Sequence, residues 1–162
     1  MSFYLRLLGG ALLMIFALLC GRAYSSYCAR AIAELDGFIS FMSHVRLKVA
    51  TQLATQSALC DGFECESLER CGFLPALREG KRVMDAYNKA AIAVCQPARR
   101  VLSSFFSGLG RGYRSDELAR ADSAISECER ILAREREQMP KDVKLIYTLL
   151  AAISLGLLIF LI

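Results

Sequence analysis

Residues 145–162 read LIYTLLAAISLGLLIFLI, eighteen positions without one charged side chain. As an α-helix rising about 1.5 Å per residue, the stretch spans about 27 Å, which is close to the hydrocarbon thickness of a bilayer. A helix that is apolar on every side needs apolar surroundings on every side, and a chain of 162 residues has little protein to supply them. The sequence therefore predicts a C-terminal transmembrane helix over residues 144–162, and the rest of the chain is interpreted outward from this anchor.

The N-terminal end carries a second apolar stretch, residues 7–21, which read LLGGALLMIFALLCG between Arg6 and Arg22. Long basic side chains can extend along apolar surface to the membrane interface, so the span can begin before Arg6. This indicates an N-terminal transmembrane helix over residues 1–24. The alternative is a cleaved signal peptide, because residues 23–25 (Ala-Tyr-Ser) have the small-x-small form of a cleavage site.

The orientation of the chain is predicted from the basic residues beside the C-terminal stretch. Arg134, Arg136, Lys141 and Lys144 precede it, and none lies within it. Because positive charge stays on the cytoplasmic side of a membrane, the central residues 25–140 are expected in the cytosol. Cleavage of the N-terminal segment would export them instead, which leaves an exported, C-terminally anchored helical binding protein as an alternative.

The central residues 25–140 have the periodicity of α-helices and no defensible strand pattern. Two long amphipathic helices are indicated by seams of apolar residues at heptad spacing: Ala31, Leu35, Phe38, Met42, Val45 and Val49 in the first, and Leu118, Ala121, Ile125, Cys128 and Leu132 in the second. Shorter helices are predicted over residues 52–58, 66–70, 74–78 and 81–94, and from Pro97 to the glycines at 108, 110 and 112. The predicted fold class is all-α: a cytosolic bundle of about six helices flanked by N- and C-terminal transmembrane helices.

Three single residues carry local predictions. Ser115 suits the N-cap of the last long helix, which then has acidic residues in its first turn. Pro140 is expected to break or kink that helix before the C-terminal span. His44 lies off the first apolar seam and is expected to be solvated or hydrogen-bonded at the surface.

No catalytic, cofactor-binding or metal-binding set can be assembled from the sequence. There is one histidine, the seven cysteines lack the spacing of a zinc site, and the glycines near residue 110 follow no strand. An odd number of cysteines on cytosolic helices favours reduced thiols. The net charge of +4 is spread over interspersed acidic and basic residues, which does not favour nucleic-acid binding. The sequence thus predicts a non-enzymatic module that takes no small-molecule substrate and holds other proteins.

The order of these parts has a counterpart among known families. An apolar N-terminal segment leads into an amphipathic helix, and a charged helix ending in REREQ (residues 134–138) precedes the C-terminal span. Between them lies a segment of the form F-x-x-L-G-x-x-Y-x-S-D, made by Phe106, Leu109, Gly110, Tyr113, Ser115 and Asp116. Over nearly its full length the chain resembles the stage III sporulation protein AB family. That family is similar to the cytoplasmic domain of component F, the inner-membrane platform protein of type II secretion and type IV pilus systems.

The resemblance implies a membrane platform component of the secretion-like channel that links mother cell and forespore during endospore formation. Its place would be the mother-cell side of the outer forespore membrane, and its partners the stage III sporulation ATPase AA and other proteins of the channel assembly. Exposed positions in the glycine-rich turn and on the outer face of the last helix are the candidate partner-binding residues: Gly110, Tyr113, Asp116, Arg120, Glu127 and Arg130. A platform subunit of a type II secretion or type IV pilus system is an alternative, although those subunits carry two copies of the helical domain and no internal repeat is found here.

Overall fold

The computed structural model describes the backbone of residues 2–51, 62–110 and 112–161, and the side chains of residues 9, 12, 14–51, 62–110 and 112–156. Within this part of the chain there are six α-helices and no strand. The helices are α1 (Ser2–Thr51), α2 (Glu66–Arg70), α3 (Phe73–Arg78), α4 (Val83–Lys89), α5 (Gln96–Gly108) and α6 (Arg114–Leu161). The predicted all-α class is confirmed, while the helix predicted over residues 52–58 lies outside the described residues.

The chain divides into two compact units. The terminal unit consists of Met1–Ala29 and Arg136–Ile162, and the central unit consists of Arg30–Glu135. The long helices α1 and α6 each contribute to both units, whereas α2 to α5 belong to the central unit alone.

The core of the central unit forms around the predicted seam of α1. Leu35, Phe38, Met42 and Val45 are buried as the heptad spacing predicts. The Phe38 ring lies against the rings of three residues from α3, α4 and α5, with centroid separations of 5.1 Å to Phe73, 5.9 Å to Tyr87 and 6.1 Å to Phe106. Such edge-on and tilted pairs are favourable arrangements for aromatic rings. The helices α3, α4 and α5 therefore share one aromatic cluster with α1.

Gly37 allows α2 to approach α1 closely. A Cβ atom at this position would lie 2.6 Å from the Ser67 hydroxyl and 2.9 Å from the Cys65 sulfur, and both distances are too short. Glycine weakens a helix interior by roughly 0.5–1 kcal/mol relative to alanine. Here the close packing of α2 on α1 accounts for its presence in the middle of α1.

The helix predicted over residues 81–94 is shorter than expected, because α4 ends at Lys89. Ala90 has an extended backbone, with φ −69° and ψ 141°. Beyond it the chain bonds to other elements: the Ala91 N–H donates to Cys71 O at 2.9 Å, and the Ala93 N–H donates to the Glu34 carboxylate at 2.6 Å. These tertiary hydrogen bonds replace the intrahelical ones that the apolar periodicity suggested.

Two local predictions concern α6: the N-cap at Ser115 is wrong, and of the break or kink at Pro140 the break is absent. The helix begins at Arg114, so Ser115 lies inside the first turn and not at the N-cap. Its last segment continues through Pro140 to Leu161, so the predicted break is absent. Proline lacks the N–H for one intrahelical bond, but a helix of 48 residues keeps many others on both sides of that position.

The terminal unit brings the two apolar stretches together. Gly21 of α1 lies against the Tyr147 ring of α6, where a Cβ atom would come within 2.8 Å of the ring carbon Cζ. Ser154 is buried in this unit, and its hydroxyl donates to Leu150 O at 2.7 Å. The unit exposes many large apolar and aromatic side chains: Leu12, Met14, Ile15, Phe16, Leu18, Leu19, Tyr24, Tyr27, Leu145, Leu149, Ile153 and Leu155.

No helix in the described part of the chain has a stretch that is both long and apolar enough to cross a membrane. The side chains of residues 1–8 and 157–162, which belong to the two predicted spans, lie outside the described ones.

Candidate docking surface

The glycine-rich turn between α5 and α6 is held by a carboxylate from α6. Glu117 accepts a hydrogen bond from the Gly110 N–H at 2.7 Å and from the Gly112 N–H at 3.2 Å. A carboxylate that accepts two backbone N–H groups makes strong, charge-assisted hydrogen bonds. The turn is thus a braced structure whose outward side presents Tyr113, with 83% of its surface exposed, and Asp116.

Arg120 holds the same turn from its other side. Its Nη1 donates to Gly108 O at 2.7 Å, and the side chain is only half-exposed. This bond satisfies one of the carbonyl groups that every helix leaves without a partner at its C-terminal end. Gly108 leaves room for the guanidinium, since a Cβ atom there would lie 3.1 Å from its Cζ. Arg120, predicted as a partner-binding residue, therefore has a structural role in the turn.

Glu127 and Arg130 form an ion pair one turn apart on α6. The Arg130 Nη2 lies 2.6 Å from Oε1 of Glu127, and its Nε lies 3.1 Å from Oε2. This bidentate bond lowers the pKa of Glu127 and raises the pKa of Arg130. The pair is exposed, so it contributes little to stability and presents a balanced charge to solvent.

Two grooves flank α5, which the sequence did not single out as a binding element. The α4–α5 groove, of about 530 Å³, is lined by Tyr87, Asn88, Ala90, Ile92, Arg99, Arg100, Ser103, Ser104 and Ser107. The α5–α6 groove, of about 450 Å³, is lined by Arg100, Val101, Ser104, Phe105, Arg120, Ser123, Ala124 and Glu127. Arg100 and Ser104 line both grooves, so the solvent face of α5 is the ridge between them.

The predicted partner-binding residues are divided by this geometry. Arg120 and Glu127 share the α5–α6 groove, whereas Gly110, Tyr113, Asp116 and Arg130 do not line it. The missed residues, Arg100, Ser103, Ser104 and Ser107, form the polar face of α5. In the sequence, these residues can be recognised by their spacing opposite the apolar positions of α5. The sequence-based candidates were instead charged residues on α6 and residues of the glycine-rich turn.

The wall of the α4–α5 groove is fixed by a buried carboxylate. Glu34 is 1% exposed; it accepts from Arg30 Nε at 2.7 Å as well as from the Ala93 N–H. Arg30 Nη2 in turn donates to Ala91 O at 2.9 Å. On the groove side, Arg99 donates from Nε to Val94 O at 3.0 Å and from Nη2 to Ile92 O. The extended segment after α4 is therefore held by charged side chains from both sides.

Three of the described cysteines, Cys71, Cys95 and Cys128, are suited to packing and not to thiolate chemistry. All six described cysteines, which exclude Cys60, are free thiols. Burial, together with the Glu127 carboxylate and the Cys95 thiol, raises the pKa of Cys128 to about 12. Burial also raises the pKa of Cys71 and of Cys95. A thiol needs its thiolate form to act as a nucleophile or metal ligand, so these positions are poor candidates for either role.

His44 is less exposed than its place in the sequence predicts. Its ring lies 5.3 Å from the Phe63 ring, and its Nε2 is buried without a hydrogen-bond partner among the described residues.

No protein-family model, curated protein or solved structure matches this chain. In the described part of the chain, no group of three or more His, Cys, Asp or Glu side chains could hold a metal ion. What the described surface of the central unit offers is a braced turn, a helix ridge and two grooves of mixed polarity. These features can bind another protein.

Proposed function

We propose that the chain is a membrane-anchored platform component that docks a secretion-type ATPase through its central unit. In the setting implied by the sequence resemblance, this is the stage III sporulation ATPase AA, and the platform belongs to the channel between mother cell and forespore. The apolar segments at the two ends of the chain are proposed to lie in the membrane as transmembrane helices, with the central unit in the cytosol.

The observation that carries this proposal is the division of exposed apolar surface between the two units. Of the large apolar and aromatic side chains that the structure describes as exposed, all but Leu47 and Tyr113 belong to the terminal unit. Surface of that extent is unfavourable in water at roughly 25 cal/mol per Å² and is tolerated where lipid or protein covers it. Tyr24, Tyr27 and Tyr147 add the amphipathic rings that membrane interfaces favour.

The central unit supports the docking half of the proposal. It has its own buried core, so it can present a surface independently of what surrounds the terminal unit. Several of its exposed charged residues form local pairs, such as Arg70 with Glu66 and Lys81 with Glu79. A rigid helical body with a mixed charged surface is typical of docking modules, where charge pattern sets partner choice and association rate.

The proposal is tested by titrating the full chain, reconstituted in lipid nanodiscs, against the purified sporulation ATPase AA in a calorimeter. We expect a dissociation constant on the order of 10 μM or tighter, weakening as salt rises from about 50 to about 500 mM, because exposed charges are screened. Empty nanodiscs are the control for lipid binding. Absence of any binding heat at low salt, with the chain shown to be folded, would contradict the docking role.

A further inference from the structure

The α4–α5 groove differs from the α5–α6 groove in the charge of its lining. Among the residues that the structure describes, its lining contains two arginines, three serines and an asparagine, and no carboxylate. Arg99 is committed to backbone carbonyls in the wall, but Arg100 is exposed and makes no hydrogen bond or ion pair with any described residue. The groove thus presents one uncompensated guanidinium beside several neutral hydrogen-bonding groups.

A further basic residue is adjacent in sequence to the lining of the groove. Lys89 lies in the chain between Asn88 and Ala90, two of the lining residues. Its ammonium interacts with that of Lys81, which lowers the pKa of Lys89. The Glu79 carboxylate is bonded to Lys81. The α5–α6 groove is different, because the Glu127 carboxylate lines it together with its arginines.

We propose that the α4–α5 groove binds an acidic segment of a partner protein, with Arg100 pairing with a carboxylate and the α5 serines and Asn88 bonding to the segment's polar groups. The proposal deepens the docking role given above and rests on it. Arg100 is suited to this part because a guanidinium can hold a carboxylate through two parallel hydrogen bonds.

The hydrogen bonding of the groove favours a peptide over a free phosphate or a nucleotide. Phosphate sites use several converging backbone N–H groups, but here the N–H groups of Ala91, Ile92 and Ala93 already donate within the protein. Nucleic acid would need many cations along a track, whereas one free guanidinium faces this groove. A flat membrane surface does not fit a concave site whose wall includes the apolar side chains of Ala90 and Ile92.

The groove is also held in shape before any partner arrives. Its Ala90 and Ile92 wall is held in place by Glu34, Arg30 and Arg99 through the hydrogen bonds already described. On the opposite side, the Tyr87 hydroxyl donates to Arg99 O at 3.3 Å. A site that needs little rearrangement loses less free energy to ordering when it binds.

The test uses the full chain in nanodiscs of uncharged lipid and a fluorescein-labelled hexaglutamate peptide, with binding measured by fluorescence anisotropy. We expect Arg100→Glu to weaken binding by about tenfold or more, because it replaces attraction by repulsion at the anchoring point. Arg100→Lys should retain part of the affinity, since it keeps the charge and loses the paired hydrogen bonds.

The matched control is Arg114→Glu, which makes the same charge change at another exposed arginine that does not line the groove. It should leave peptide affinity within about twofold of the unchanged chain at physiological salt. A second variant, Ser103→Phe, fills the groove without altering charge and should weaken binding as Arg100→Glu does. Circular dichroism melting of each variant checks that the fold is retained.

Several outcomes would overturn the proposal. Equal loss with Arg100→Glu and Arg114→Glu would mean diffuse electrostatic attraction, and full binding by Ser103→Phe would place the peptide elsewhere. Inorganic phosphate or a single-stranded oligonucleotide displacing the peptide at lower concentration than unlabelled hexaglutamate would assign the groove to another ligand.

ATPase titrations in parallel separate the two proposals. Peptide binding without ATPase binding contradicts only the platform role, and ATPase binding that is indifferent to Arg100→Glu contradicts only the groove.

Discussion

At the scale of single residues, Glu34 illustrates what the sequence could not predict. It lies off the apolar seam of α1, where a charged residue is normally solvated, yet it is almost wholly buried. The reason is tertiary: Glu34 accepts the N–H of Ala93, fifty-nine positions away, and pairs with Arg30. A pattern within one helix carries no information about a backbone donor that another segment brings to it. Phe41 was missed for the same reason, since it is buried against Phe63, Phe73 and Phe106.

Replacing Glu34 tests whether its carboxylate holds the extended segment after α4 in place. Glu34→Ala removes the acceptor of the Ala93 N–H and should lower the free energy of unfolding by about 1–3 kcal/mol, the penalty for a buried donor left without a partner. Glu34→Gln keeps an acceptor oxygen and should be less damaging. The measurement is denaturant unfolding of the full chain in detergent, followed by near-ultraviolet circular dichroism of the aromatic cluster.

The control for Glu34 is Glu129→Ala, which removes an exposed carboxylate from α6 and should change stability by less than about 0.5 kcal/mol. If Glu34→Ala were as stable as Glu129→Ala, the buried carboxylate would not fasten the segment.

Cys128 leads to a prediction about pH. Its pKa is about 12 in the folded chain, against an ordinary value of 9.0, because burial disfavours the thiolate. The folded state therefore holds its proton more tightly than the unfolded state, and the associated stability is complete below pH 9.0 and is lost as pH rises toward 12. Melting temperatures across this range should fall less steeply for Cys128→Ala than for the unchanged chain. Parallel curves for the two proteins would contradict the assignment.

At the scale of elements, the sequence predicted what depends on local periodicity and missed what depends on other segments. The helix predicted over residues 66–70 has the bounds that the structure gives to α2, and four of the six predicted α1 seam positions (Leu35, Phe38, Met42 and Val45) are buried, while Ala31 and Val49 are half-buried. The predicted helix over 81–94 failed after Lys89, where tertiary hydrogen bonds hold the chain extended. The grooves beside α5 could not be predicted, because they arise where three helices meet.

Arg120 connects two elements, and its role can be separated from docking. Arg120→Glu removes the cap on Gly108 O and brings a second carboxylate beside Glu117, so we expect a loss of about 1 kcal/mol or more. Arg130→Glu, which changes an exposed pair on the same helix, should have a much smaller effect. Thermal melting of the two variants decides the matter: equal melting temperatures would show that Arg120 does not brace the turn.

At the scale of the whole molecule, composition and position along the chain were more informative than any motif. The apolar stretches at the two ends and the amphipathic pattern between them predicted two regions of different character, and the chain divides into two units. The proposed docking function is harder to derive from the sequence, because such a function needs no catalytic set whose spacing could be recognised. The specificity of docking depends on surface shape and charge. The sequence indicates which residues lie on helices, but not which of them come together in the folded chain.

The proposed platform role depends most on the orientation of the central unit. An ATPase works in the compartment that holds its ATP, so the central unit has to face the cytosol to bind it. Arg134, Arg136, Lys141 and Lys144 precede the C-terminal apolar stretch, which predicts a cytosolic central unit. Native cysteines are poor reporters, because Cys128 is buried and Cys95 is half-buried. Ser126 is exposed on α6 of the central unit, so Ser126→Cys provides a thiol that is accessible to solvent in the folded protein.

Intact cells that express Ser126→Cys are treated with a membrane-impermeant maleimide, and the modified peptides are mapped by mass spectrometry. We expect position 126 to react only after lysis, because the membrane separates a cytosolic central unit from the reagent. An exported protein with an exposed cysteine, labelled in the same intact cells, shows that the reagent is active. Labelling of position 126 before lysis would place the central unit outside the cytosol. The N-terminal segment would then be better explained as a cleaved signal, and the chain as an exported, C-terminally anchored binding protein.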